Sequence, residues 1–152
     1  MQRRTFLGAT LAAAECALLA GAGLLKPQRA LAAWPAAAFN AETLDSALRA
    51  LSGGAPISDS DAIVLQAPEQ AADGRTVPVD VISNIPGTRS IALLSEKNPF
   101  PALSRFELTP AVSPSLSARI KMGGTGKVVA LVEADGRYYS TSRRVEVAVG
   151  GC

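Results

Sequence analysis

Turn residues divide most of this chain into short apolar or alternating runs, and that division constrains the fold more than any other feature. Pairs such as Asp73-Gly74, Pro86-Gly87, Asn98-Pro99 and Asp135-Gly136 separate the runs. Short runs bounded in this way are typical of β-strands. About seven strands within roughly 90 residues indicate a mainly β fold, namely an immunoglobulin-like β-sandwich. The predicted strands lie within residues 62–65, 77–82, 91–94, 105–108, 116–122, 128–134 and 138–149.

Two of the connections between these runs are informative in themselves. Asp135-Gly136 is the strongest hairpin signal in the chain, since both residue types tolerate the positive φ that a two-residue turn requires. Gly123-Gly124-Thr125-Gly126-Lys127 superficially resembles a phosphate-binding loop, but it lacks the spacing of that motif and the Ser or Thr after its lysine. It also separates two strand-like runs instead of opening a helix, so we predict a hairpin connection there.

A short amphipathic helix precedes the strands. Four apolar residues recur at i, i+3, i+4 and i+7, which is the spacing of one helix face. Asn40 is the expected N-cap, and Ser52-Gly53-Gly54 ends the pattern. A stripe of this kind is expected to pack on a core. The four residues are Leu44, Ala47, Leu48 and Leu51.

The first residues have the composition of an export signal. Arg3 and Arg4 form a twin-arginine pattern with Thr5-Phe6-Leu7-Gly8, an apolar stretch over residues 9–25 follows, and Ala30-Leu31-Ala32 is an A-x-A cleavage site. About 17 moderately apolar residues with a carboxylate among them fall short of the roughly 20 that span a membrane, so a membrane anchor is disfavoured. We therefore expect a cleaved twin-arginine (Tat) signal over residues 1–32 and a periplasmic location.

Removal of this signal changes the charge and the cysteine count of the chain. Residues 1–32 hold four of the fifteen basic residues and one of the thirteen acidic ones, which leaves eleven and twelve. A near-neutral chain without basic runs has no electrostatic basis for binding nucleic acid or anionic membranes. About 120 residues suffice for one core, so residues 33–149 are expected to form one domain. Cys16 leaves with the signal, and Cys152 then has no partner for an internal disulfide.

Histidine is absent from the chain, and this absence narrows the chemistry. A Ser or Cys nucleophile lacks its usual base, and the commonest transition-metal ligand is missing. We therefore expect no self-contained catalysis, no metal and no cofactor. The carboxylates of Asp59, Asp61, Glu133 and Asp135 lie near turns and are interpreted as solvated caps or hairpin residues.

The carboxy-terminal end combines a strand, two glycines and an unpaired thiol. The valines of residues 144–149 alternate with polar or small residues, so strand pairing is expected to hold the chain to about Val149. Gly150 and Gly151 admit almost any backbone conformation. Residues 150–152 are therefore expected to form a thin flexible arm with a reach of at most about 10 Å. A frayed terminus is the alternative, whereas an exposed thiol at Cys152 in an oxidising compartment indicates a site that carries a covalent cargo.

Several segments of the mature chain are shared with a known family. They are Ala67-Pro68, Asp73-Gly74-Arg75-Thr76-Val77-Pro78-Val79, Glu96-Lys97-Asn98-Pro99 with Pro101 beyond it, Arg119-Ile120-Lys121-Met122, and Val149-Gly150-Gly151-Cys152. On these segments the chain resembles SoxY, the sulfur-carrier subunit of the periplasmic thiosulfate-oxidising system. The resemblance covers essentially the whole mature chain.

The resemblance implies an immunoglobulin-like fold, a heterodimer with the smaller SoxZ subunit, and sulfur carried covalently on Cys152 while partner enzymes act on it. The family's partners are a c-type cytochrome complex that conjugates thiosulfate to the thiol, a dimanganese hydrolase that releases sulfate, and a sulfane dehydrogenase. The family usually continues for two glycines beyond the cysteine. We therefore expect the carboxylate on Cys152 to slow coupling without preventing it, and a partner cleft shaped for the missing glycines to fit this arm less well.

The alternative function is a non-catalytic immunoglobulin-like adaptor, cross-linked through a disulfide at Cys152. For either function, the sequence does not locate the partner interface. Phe100, Phe106, Tyr138 and Tyr139 could line it, but with six aromatic residues in the mature chain most are expected in the core.

Overall fold

The part of the chain that the computed structural model describes, residues 35–150, folds into two helices and nine strands and belongs to one compact unit that begins at Pro35. The predicted signal, residues 1–32, lies outside it. No helix within residues 35–150 is long and apolar enough to cross a membrane. The helices are α1 (Ala36–Phe39) and α2 (Leu44–Leu51). The strands are β1 (Ile57–Asp59), β2 (Ile63–Gln66), β3 (Gln70–Ala71), β4 (Val77–Ser83), β5 (Thr88–Ser95), β6 (Ala102–Glu107), β7 (Ser115–Ile120), β8 (Gly126–Ala134) and β9 (Arg137–Val147).

The strands form two sheets. The larger sheet has the order β1-β9-β8-β5-β6, and β3 also pairs with β9. The smaller sheet has the order β2-β4-β7. Both β1 and β3 run parallel to β9, with β1 beside its beginning and β3 beside its end. The remaining pairs are antiparallel.

All seven predicted strands are present, but β1 and β3 were not predicted. These two strands have three and two residues, which is too short for an alternating pattern to be recognised. They exist because their backbones pair with β9, and a pairing between distant segments has no local sequence signal.

The main core lies between the two sheets. In β4, Val77, Val79 and Val81 are buried and the residues between them are exposed, because one face of the smaller sheet meets the larger sheet and the other faces outward. Side chains from both sheets complete this core. Its buried members are Ile63, Leu65, Val77, Val79, Val81, Ile91, Leu93, Ile120, Met122, Val128, Ala130, Val132 and Val145.

A second core lies on the other face of the larger sheet, where the helices pack. Ile91 and Leu93 of β5 point to the main core, whereas Ala92 and Leu94 belong to the cluster that contains Ala47 and Leu51. Leu44 and Leu48 are partly buried against the same cluster. The predicted packing of the helix stripe is therefore confirmed.

The helix begins one turn later than predicted. Its N-cap is Thr43, whose hydroxyl accepts from the Ser46 N–H at 3.2 Å, while the Ser46 side chain accepts from the Thr43 N–H at 3.3 Å. This reciprocal pair is a capping box. Asn40 is not the N-cap of this helix; it is the C-cap of α1, whose four residues are too few to show a helical period.

One of the two interpreted connections is confirmed and the other is wrong. Asp135 and Gly136 have φ of 48° and 74°, as a two-residue hairpin turn requires, and they join the paired strands β8 and β9. Gly123-Gly124 does not form a hairpin, because it leads from β7 in the smaller sheet to β8 in the larger one. The local sequence indicates that a strand ends there but not which sheet the next strand joins.

Three side chains are placed differently from the prediction. Phe100 and Phe106 are 52% and 39% exposed, so they do not lie in the core. Tyr138 and Tyr139 are partly buried against the second and the main core, respectively.

Glu133 is a half-buried strand residue instead of a solvated turn residue. Its Oε2 lies 3.3 Å from Arg105 Nη2. The two residues lie on β8 and β6, which pair with opposite edges of β5.

Candidate functional site

The last strand continues as hydrogen-bonded backbone beyond its formal end. The Ala148 N–H donates to the Ala71 carbonyl at 3.0 Å, and the Val149 carbonyl accepts from the Gly74 N–H at 2.7 Å. Pairing therefore reaches Val149, as predicted from the alternating valines. We call residues 147–150 the arm root. The Val149 side chain within it is 63% exposed, so the chain is held here by its backbone.

The loop between β7 and β8 holds the arm root from another side. The Val147 N–H donates to Thr125 Oγ1 at 2.9 Å, and the same hydroxyl donates to the Val147 carbonyl at 3.4 Å. Gly150 lies against the backbone of Gly123: a β-carbon on Gly150 would be 2.6 Å from the Gly123 carbonyl oxygen. A glycine is therefore required at position 150 for space, in addition to the flexibility predicted for the arm.

Asn98 connects this loop to the loop between β5 and β6. Its Nδ2 donates to the Lys121 carbonyl at 2.8 Å, and its Oδ1 accepts from the Gly123 N–H at 2.7 Å and from Ser95 Oγ at 3.1 Å. Asn98 is only 9% exposed. A buried amide with its donor and acceptor both in use holds two loops in a fixed relation.

Glu96 anchors the start of β8 next to this network. Its Oε2 accepts from the Lys127 N–H at 3.0 Å, and its Oε1 lies 3.3 Å from Lys97 Nζ. The hydrogen bond from the Lys127 backbone, together with the bond from Lys97, holds the pKa of the Glu96 carboxyl below its ordinary value of 4.5. Glu96 is therefore ionised at neutral pH.

Asp73 and Arg75, which lie on either side of Gly74 in the chain, form an ion pair. The Arg75 guanidinium donates to Asp73 through Nε and Nη2, at 2.8 and 2.7 Å from Oδ2. These side-chain bonds, with a further bond from the Arg75 N–H, lower the pKa of the Asp73 carboxyl. The Gly74 carbonyl accepts from the Met122 N–H at 2.7 Å, so Gly74 connects the arm root to the loop that follows β7.

Three of the segments that carry the family resemblance therefore meet at the arm root. They come from distant parts of the sequence, around Gly74, Asn98 and Met122, and the fold brings them to the end of the sandwich from which the arm leaves. Of the predicted arm residues, Gly150 is described, while Gly151 and Cys152 lie outside the described residues.

Sequence reasoning did not identify Asn98, Gly123 or Thr125 as parts of this site. In the sequence, Asn98 is part of a turn and of a segment shared with the family, and Gly123 and Thr125 are parts of a connection. Their hydrogen bonds join residues 22 to 25 positions apart, and such bonds have no local signal. The only hint available was the Gly123-Gly124 pair, which permits close approach of another backbone.

Open space adjoins the arm root. A groove of about 730 Å³ is lined by Gln70, Ala71, Thr125 and Val147, among others. Over residues 35–150, no three His, Cys, Asp or Glu side chains are grouped so that they could hold a metal ion. In the described part of the site, backbone hydrogen bonds and the Thr125 hydroxyl hold the arm root, and the buried Asn98 amide holds the adjoining loop.

Comparisons with known proteins identify relatives of this chain. The family model described as sulfur oxidation protein SoxY matches residues 48–152. A solved structure of the sulfur carrier protein SoxY from Chlorobium limicola f thiosulfatophilum is similar with a TM-score of 0.65 and 39% sequence identity, over 72% of this chain and 96% of that chain. This similarity confirms the predicted mainly β, immunoglobulin-like sandwich.

A more distant likeness concerns the fold alone. The superoxide reductase (neelaredoxin) from Ignicoccus hospitalis has a TM-score of 0.50 and 20% identity, over 57% of this chain and 80% of that chain. The comparison with curated proteins finds no match.

Proposed function

Because the chain belongs to the SoxY family of sulfur oxidation proteins, we propose that it carries sulfur intermediates covalently on Cys152 during thiosulfate oxidation. The observation that carries the proposal is the extent of the family match, which runs through the last residue of the chain, Cys152. The likeness to a sulfur carrier protein at 39% identity supports the same function.

The proposed chemistry needs only a thiol from this chain. The Cys152 thiolate and thiosulfate lose two electrons to an oxidant, and a new S–S bond gives a Cys-S-S-sulfonate. Water then attacks the sulfonate sulfur, sulfate leaves, and a persulfide remains on Cys152. The carrier presents the sulfur, and the electron acceptor and the hydrolytic groups belong to partner enzymes.

The geometry of the arm root suits a carrier. Backbone hydrogen bonds anchor the chain at Val147 and Val149, and Gly150 begins the segment that leads to the thiol. Two more residues, Gly151 and Cys152, follow. A short arm that extends from a hydrogen-bonded arm root keeps an attached intermediate at a high effective concentration for each partner that docks there.

The proposed partners follow from the family. They are a SoxZ-like subunit that forms a heterodimer with this chain, a c-type cytochrome complex for conjugation, a dimanganese hydrolase for sulfate release and a sulfane dehydrogenase. The proposed location is the periplasm, reached through the twin-arginine signal of residues 1–32. Disulfides form in an oxidising compartment, but the mature chain has no second cysteine with which Cys152 could form one. The thiol of Cys152 would therefore be available to receive the sulfur cargo.

Intact mass spectrometry tests the carrier function. Protein purified from cells grown on thiosulfate is expected to show mass increases of sulfur, sulfite or thiosulfate that dithiothreitol removes. The matched control is Cys152→Ser, which is expected to show none of them. An unmodified mass for the original protein during growth on thiosulfate would refute the carrier function.

The same preparations also distinguish the adaptor. Electrophoresis without reductant would show a disulfide-linked dimer that thiosulfate does not affect if Cys152 serves only as a cross-link. The carrier hypothesis predicts a thiol that is released from its adduct by reductant and is reloaded by thiosulfate in the presence of the partner enzymes.

A further inference from the structure

Asn98 does not contact the arm, but it forms hydrogen bonds with the loop against which the arm root lies. Its three hydrogen bonds reach Ser95, Lys121 and Gly123. The last two residues flank Met122, whose N–H is bonded to Gly74. One buried side chain thus fixes both sides of the segment that leads from β7 into the loop before β8.

Gly123 transmits this restraint to the arm. Its N–H is held by Asn98 at 2.7 Å, and its carbonyl oxygen faces Gly150 so closely that a β-carbon there would come within 2.6 Å. The N–H and the carbonyl of one residue are separated by only two soft backbone dihedrals. Because Asn98 holds the N–H of Gly123, the position of the Gly123 carbonyl is restricted as well. Gly150 lies against this carbonyl.

We infer that Asn98 is a positioning residue for the arm: through Gly123 it sets the direction in which the chain leaves the sandwich at Gly150. The consequence for sulfur transfer rests on the proposed function, because a narrow partner cleft receives only a thiol that is presented in the right direction. The structural part of the inference does not depend on which cargo Cys152 carries.

Three variants separate positioning from general stability. Asn98→Ala removes the bonds to Gly123 and Lys121 and leaves the Gly123 N–H without its partner. Gly150→Ala leaves Asn98 in place but forces the arm away from the Gly123 carbonyl. Ser83→Ala is the matched control, because Ser83 is also buried and its hydroxyl bonds to Thr88 at 2.7 Å, near the turn that begins β5 and away from the arm root.

Distances between two spin labels report the arm direction. The full chain with Cys16→Ala and Gln66→Cys carries one label on β2, whose exposed face includes residue 66, and one on Cys152. We expect a shifted and broader distance distribution for Asn98→Ala and for Gly150→Ala, and an unchanged one for Ser83→Ala. Urea unfolding of each variant shows how much stability each has lost.

The outcomes are distinct. If Asn98→Ala and Ser83→Ala lose similar stability and both keep the original distance distribution, Asn98 supports only the fold and the inference is wrong. If Asn98→Ala does not fold, Gly150→Ala decides: an unchanged distribution there would also overturn the inference, because Gly123 would then not direct the arm.

A kinetic readout tests the consequence for transfer. With a thiosulfate-conjugating cytochrome complex, Asn98→Ala is expected to raise KM for the carrier, while iodoacetamide alkylates Cys152 at the original rate because a small reagent reaches the thiol from any direction. An unchanged KM in Asn98→Ala with a shifted distance distribution would refute the role in transfer. A carrier that takes no sulfur even with Asn98 intact would refute the proposed function instead and would leave the distance result standing.

Discussion

Single carboxylates stabilise the loops at the arm end of the sandwich. Glu96 accepts the backbone N–H of Lys127 at 3.0 Å and pairs with Lys97, and Asp73 pairs with Arg75. Both carboxyl pKa values are lowered in the folded protein. These groups therefore bind protons more weakly in the folded than in the unfolded chain, and their contribution to stability depends on pH.

Glu96→Gln is expected to show this dependence. The contribution of the Glu96 carboxylate is fully present above its unfolded pKa, near 4.5, and is lost as pH falls through the lower folded pKa. At neutral pH the variant should therefore have a lower free energy of unfolding than the original protein, and the difference should shrink on acidification. Urea unfolding from neutral to acidic pH measures it.

Glu42→Gln is the matched control for Glu96→Gln, since Glu42 is an exposed glutamate before α2. A difference between Glu96→Gln and the original protein that stayed constant down to the most acidic pH would contradict the assignment of the stabilisation to the charged carboxylate.

At the scale of elements, α2 closes the second core against the larger sheet. Leu51, in its last turn, is 3% exposed and lies in the cluster with Leu94 and Leu131. Packing of an amphipathic face accounts for most of the stability of a helix this short. The second core is therefore expected to unfold together with the sheet.

Leu51→Ala tests that coupling. Truncation of a buried leucine to alanine leaves a cavity and is expected to lower the free energy of unfolding by about 2–5 kcal/mol. The urea midpoint should fall while the slope stays the same. Val112→Ala, at a side chain that is 53% exposed between β6 and β7, should change little. If the two variants behaved alike, α2 would not belong to the cooperative unit.

At the scale of the whole molecule, one end of the sandwich contains the turn between β8 and β9, and the other end holds the arm root. Strand β9 runs from the Asp135-Gly136 turn at one end to the arm root at the other, roughly 30 Å away for a strand of this length. The turn determines the register of β8 and β9, whereas the loops around Gly123 hold the arm. Damage to the turn should therefore alter stability without altering the arm.

Gly136→Ala tests this separation. Gly136 has φ of 74° with open space around it, so the added methyl group is strained only by the left-handed backbone. That strain is expected to lower the free energy of unfolding by about 1–2 kcal/mol. The alkylation rate of Cys152 under native conditions should not change. A changed rate would mean that the turn and the arm root are coupled through the sheet.

The strands and the helix stripe were predictable because their signals are local. Burial alternates along β4 and along residues 144–147 at the end of β9. Leu44, Ala47 and Leu51 recur along one face of α2. In each case the pattern shows within a few neighbouring residues which face is buried. The Asp135-Gly136 turn was predictable for the same reason. The N-cap was misplaced because Asn40 and Thr43 are both good capping residues, and only the backbone contacts distinguish them.

The sequence by itself determined the composition of the predicted arm, residues 150–152, and the positions along the chain of seven of the nine described strands. It places Cys152 directly after two glycines and contains no histidine. Only the tertiary structure decided what holds the arm. The loops around Gly74, Asn98 and Gly123 come together because β4 pairs with β7 and β5 with β8. These pairings join segments far apart in the chain, so no short stretch of sequence records that Gly150 rests on Gly123 or that Asn98 holds Gly123 in place.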